Sequence, residues 1–93
     1  MNLDQTVSLS PQVISQEVSG ETVILDLESE NYFGLDAVGT RIWQLIQEHG
    51  NLKAIFHTLL DEYEVDEEQL RKDLEVLIKD ACERGLINVQ EPG

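Results

Sequence analysis

Cysteine is almost missing from this chain. Cys82 stands alone among 93 residues, so no intrachain disulfide can form, which suits a reducing compartment without requiring one. Basic side chains are scarce too: six Lys and Arg stand against 19 Asp and Glu, a formal charge of −13. Nucleic acid is gripped mainly through Lys and Arg contacts to phosphate that release counterions. Anionic membranes call on the same cations. DNA, RNA and membrane surfaces are therefore poor partners. No apolar run approaches the roughly 20 residues needed to span a bilayer. Residues 1–12 lack the basic start and apolar stretch of a signal peptide, so cytoplasmic residence is the expectation. No internal repeat and no low-complexity stretch interrupts the sequence.

What is present is enough for one domain, 1–93, with residues 1–10 a candidate flexible lead-in. Apolar residues make up 41% of the chain, too many for a disordered tail. A chain of this length buries roughly 60–65% of its unfolded surface, which allows one modest core. The acidity suits a neutral or basic partner, or solubility alone.

The first half reads as strands. Val7 and Leu9 alternate and suggest a short edge strand, and Val13 and Ile14 open a strand over residues 13–18. Ser19-Gly20-Glu21 is a turn, because Gly accepts the positive φ of a tight hairpin. Residues 22–28 (TVILDLE) place Val23, Leu25 and Leu27 on one face and Ile24, Asp26 and Glu28 on the other. Ser29-Glu30-Asn31 turns the chain again into Tyr32-Phe33-Gly34-Leu35. Two short turns joining three strands imply an antiparallel meander.

The second half reads as helices. Asp36 is a candidate N-cap for a helix reaching about Glu48, with Val38, Ile42, Leu45 and Ile46 on one side. His49-Gly50 ends it. Asn51 caps a second helix bearing Leu52, Ile55, Phe56, Leu59, Leu60 and Tyr63. Asp66 and Gln69 have the spacing of a capping box, and Val65 and Leu70 that of a hydrophobic staple. The third helix carries Leu70, Leu74, Leu77, Ile78, Ala81 and Cys82, and Gly85 stops it in a left-handed turn. Leu86-Ile87-Asn88-Val89 reads as an extended tail packed on the sheet or the helices. The fold class is α+β: a three-stranded antiparallel meander followed by three helices, like a winged helix-turn-helix. Such folds often bind DNA, but a fold does not fix a function, and the charge argues against DNA here.

Residues 23–43, from Val23-Ile24-Leu25-Asp26-Leu27 through Tyr32-Phe33-Gly34-Leu35-Asp36 to Gly39-Thr40-Arg41-Ile42-Trp43, resemble the PqqD-like family. These are recognition elements for ribosomally synthesised, modified peptides. Further matches are Tyr63-Glu64-Val65-Asp66 and Gly85-Leu86-Ile87, so the likeness covers roughly residues 10–90. Order and spacing carry it, since each motif alone is apolar patterning plus a turn. The Gly39 to Trp43 stretch and the small size are most similar to the stand-alone leader-binding proteins of lasso-peptide pathways. PqqD proper, a chaperone of quinone-cofactor synthesis, is the neighbouring alternative.

The resemblance implies capture of a precursor's leader segment as an added strand on the third strand of the meander, beside the third helix. The leader would pass to a peptidase and a cyclase. The site residues it implies on the strand are Asn31, Tyr32, Phe33, Gly34 and Leu35. On the third helix, Leu74, Val76 and Leu77 are expected to receive apolar leader side chains, and Asp73 and Asp80 to meet basic or polar groups. Asp73, Val76 and Asp80 share one flank at i, i+3 and i+7. Phe33 and Leu35 also suit the core, Trp43 suits packing, and Gly34 suits either close backbone approach or a bulge.

Catalysis, metal and cofactor are not expected. Cys82 lies beside an apolar stripe, where a thiol is usually inert packing. It combines with His49 and His57 into no nucleophile, base and orienter set. The two histidines lack a second pair of ligands. A winged-helix regulator, or an adaptor that binds another protein, is the rival class.

Overall fold

The computed structural model describes residues 2–90. Along the chain run β1 (Thr6–Leu9), β2 (Val13–Val18), β3 (Glu21–Asp26), β4 (Tyr32–Leu35), α1 (Ala37–Glu48), α2 (Leu52–Glu62), α3 (Glu67–Glu83) and β5 (Ile87–Gln90). The expected meander is there, in the order β2-β3-β4, antiparallel throughout. Ser19 and Gly20 both have positive φ, 53° and 81°. They form a two-residue loop between the paired Val18 and Glu21, whose twist matches that of the strands it joins.

The alternation along β3 has an unexpected polarity. Thr22, Ile24 and Asp26 face inward and are buried, whereas Val23 and Leu27 are about half exposed, at 43% and 53%. The inner polar groups have partners. Thr22 Oγ1 donates to Thr40 Oγ1 of α1 at 2.8 Å, and Trp43 Nε1 donates to Ser15 Oγ of β2 at 3.1 Å. Asp26 Oδ1 accepts from the Glu28 amide at 3.0 Å, closing the second turn. No buried side-chain nitrogen or oxygen among the described residues lacks a hydrogen bond. Such satisfaction removes most of the cost of burying a polar group.

The helix ends follow local chemistry at two of the three starts. Asp36 Oδ1 accepts from the Gly39 amide at 2.8 Å and Asn51 Oδ1 from the Ala54 amide at 3.0 Å. The capping box expected at α3 does not form. Asp66 makes no side-chain cap bond, and Gln69 instead donates to Asp73 one turn on, at 2.9 Å. Val65 remains 46% exposed, so the staple is loose. At the other end, the Leu86 amide bonds to Ala81 O and the Gly85 amide to Cys82 O, with Gly85 at φ 75°. This is a Schellman stop.

The terminal segments depart furthest from the sequence reading. β1 does not join the meander, and the tail after Gly85 is not merely extended. The two pair antiparallel as a ribbon, Val7 opposite Val89 and Leu9 opposite Ile87. Residues 6–9, within the expected flexible lead-in, are thus built into the fold. The ribbon is fastened by the Val7 amide to Gly50 O at 2.7 Å and the Ser10 amide to Leu86 O at 3.0 Å. Gly50 has φ 74°, and a Cβ there would stand 3.0 Å from Val7 O, so this crossing needs glycine. Val7 and Ile87 enter the same core as Ile24, Leu45, Leu52, Ile55, Leu59 and Leu74. Cys82, expected to pack, is exposed. No helix among the described residues is long and apolar enough to cross a membrane.

Candidate functional site

β4 is the last strand of the meander and pairs on one side only, with β3. Its outer edge presents unpaired backbone groups, a liability unless something covers or uses it. β1 and β5 bond to each other, so neither of these terminal strands fills that edge.

Beside β4 lies a groove of about 330 Å³ running against α3. Tyr32, Phe33, Gly34 and Leu35 form one wall, and Leu77, Asp80, Ala81 and Arg84 the other. Ile24, Ile42, Trp43 and Ile78, all buried, contribute to its lining from the core. The walls are largely apolar, and Asp80 and Arg84 are the charged residues in the lining. Arg84 Nε donates to Asp80 Oδ2 at 3.0 Å, while its guanidinium carbon sits 5.2 Å from the centroid of the Phe33 ring. Arg84 therefore reaches from the end of α3 across to β4. The groove can receive an extended chain whose main chain bonds to β4 and whose alternate side chains enter an apolar slot with one charged end.

Six of the residues singled out from sequence line this groove: Tyr32, Phe33, Gly34, Leu35, Leu77 and Asp80. The other four stand elsewhere. Leu74 is fully buried beneath α3 and presents no surface. Val76 is 67% exposed and does not contribute to the lining. Asp73 is occupied by Gln69. Asn31 lies in the turn before β4, its carbonyl accepting from the Asp26 amide at 3.0 Å. The side of α3 that meets the groove is thus that of Leu77, Asp80, Ala81 and Arg84, and of the Asp73, Val76, Asp80 flank only Asp80 reaches it.

Ile24, Gly39, Ile42, Trp43, Ile46, Ile78, Ala81, Arg84 and Leu86 complete the lining and were not anticipated. A signal existed for two of them. Ala81 and Arg84 follow Leu77 at i+4 and i+7, which puts all three on one helix face. Tyr32 also borders a second hollow on the outer side of the sheet, with Ile14, Val23 and Leu25.

An open sheet edge beside an apolar groove, on a small winged-helix domain, is the geometry that strand addition by an extended peptide requires. A family model described as coenzyme PQQ synthesis protein D (PqqD) matches residues 21–87, and the chain belongs to that family. The matched span leaves out β2, so it is narrower than the likeness read from sequence. Two solved structures share the fold. TbiB1 in complex with the TbiA(beta) leader peptide is 34% identical, with a TM-score of 0.84, covering 87% of this chain and 94% of that one. Lasso peptide synthetase B1 complexed with the leader peptide is 23% identical, with a TM-score of 0.81, covering 89% and 98%. No curated protein matches in sequence.

Proposed function

We propose that this chain is a non-catalytic leader-peptide receptor of a lasso-peptide pathway. It takes the leader as an extra strand on the free edge of β4, with leader side chains in the groove against α3. It then delivers the captured precursor to a peptidase and a cyclase. The observation that carries the reading is the unpaired edge of β4 beside an apolar groove. Its support is the solved relative, 34% identical, that holds a leader peptide. Main-chain bonds give affinity without sequence preference, and the slot gives selection. Burying one aromatic leader side chain there would contribute about 2 kcal/mol.

The test is a fluorescence titration of the chain with two labelled leaders and with duplex DNA at moderate salt. The leaders are that of the precursor encoded beside this chain and the TbiA(beta) leader. Micromolar or tighter binding of a leader, with slowed hydrogen exchange at the β4 amides, is expected. Binding to DNA alone, or leader binding that leaves β4 exchange unchanged, would overturn the proposal.

A further inference from the structure

Resting on the peptide-receptor reading, we infer that Arg84 selects for a carboxylate side chain at one position of the captured peptide. Six cations are spread over the whole chain, and Arg84 is the one in the groove lining. Its guanidinium carbon lies over the Phe33 ring on the strand wall and its Nε is held by Asp80 on the helix wall. Two anchors fix the guanidinium at the boundary between the walls. Neither uses the Nη1 and Nη2 groups, which have no hydrogen-bond partner among the described residues. Those N–H groups form the fork that takes a carboxylate through two parallel bonds. A lysine there would offer a point charge without that geometry.

The acidity of the molecule sharpens the choice. At a formal charge of −13, an acidic residue on an approaching peptide is repelled by the general field. Within the groove lining, Arg84, its charge shared with Asp80, is the one group that opposes that repulsion. An acid in the peptide therefore sets the register of strand addition, which main-chain bonding alone leaves free to slip.

The experiment is a glutamate scan of whichever of the two leaders binds tighter. Each position is made Glu, and separately Gln, and titrated against the wild-type chain, Arg84→Gln, Arg84→Lys and Arg84→Glu. Thermal melts of all four proteins confirm the fold, which an exposed side chain should not disturb. Wild type should prefer Glu over Gln about fivefold at one position, as expected of a partly exposed charge-assisted pair. Arg84→Gln should lose that preference, binding the Glu and Gln peptides within about twofold of each other. Arg84→Lys should keep part of the preference, and Arg84→Glu should turn it towards Lys in the peptide. The inference is overturned if no position prefers Glu, if the preference survives in Arg84→Gln, or if that variant weakens every peptide equally. If neither leader binds the wild type, the receptor reading itself fails and takes this inference with it.

Discussion

Leu77 and Val76 are neighbours in sequence, and the structure gives them different duties. Leu77 is part of the wall that faces β4, while Val76 stands in solvent at 67% exposure. Leu77→Ala should weaken leader binding by about 1 kcal/mol or more, as for a side chain at the centre of a contact. Val76→Ala should change it by less than about 0.3 kcal/mol, since isolated exposed apolar residues contribute little. Isothermal titration of the two variants separates them, and equal losses would place the contact on the outer flank after all. In sequence, Val76 between Asp73 and Asp80 on one flank suits a groove with a charged rim. Helical periodicity locates a face only to within a residue or so, and that error is enough to add Val76 to the face that holds its neighbour Leu77. The same limit applies to β3. Its more apolar set, Val23, Leu25 and Leu27, is the outer one, since Thr22 and Asp26 of the inner face, and Ser15 of the neighbouring β2, have hydrogen-bond partners. Two of those partners, Thr40 and Trp43, lie on α1, far along the chain from the strands they satisfy.

At the level of elements, the meander, the three helices and most of their ends were legible, because local chemistry sets them. Asp36, Asn51 and Gly85 behave as their types suggest. Asp66 does not, and the difference is measurable. Asn51→Ala removes a cap bond to α2 and should cost about 1 kcal/mol in urea unfolding. Asp66→Ala removes only a favourable charge at the start of α3, and should cost about 0.3 kcal/mol. The pair tying α1 to α2 is a second test. Arg41 Nε and Nη2 bond to the two carboxylate oxygens of Glu62 at 2.8 and 2.6 Å. Hydrogen bonding from Arg41, aided by its charge, holds the Glu62 carboxyl below its usual value despite partial desolvation. A carboxyl whose folded value is depressed contributes stability above its unfolded value and loses it as pH falls through the folded one. The melting temperature of wild type should therefore exceed that of Glu62→Gln at neutral pH. The gap should close on the acid side of the ordinary carboxylate range and shrink with added salt.

For the whole molecule, what escaped the sequence was the pairing of its two ends. β1 and β5 each show a short alternation, but nothing local says that residues 6–9 meet residues 87–90. Pairings across nearly the full chain are set by the packed core rather than by turns. The ribbon is part of that core: Ile87 is 2% exposed and Val7 1%. Ile87→Ala should thus destabilise by about 2–4 kcal/mol, like any buried large-to-small change. A loss below about 1 kcal/mol in chemical denaturation would mean that the ribbon is only draped on the helices.

The ribbon also fixes how the domain would answer a mechanical load. Thr6 and Gln90 sit opposite each other at its open end, so tension drawn through both ends of the chain would part the strands one rung after another, like a zipper. Strands pulled lengthwise past each other would have to break their rungs together. Such a load would first meet the backbone bonds that hold residues 3–7 to residues 50–53, and then the buried Val7 and Ile87.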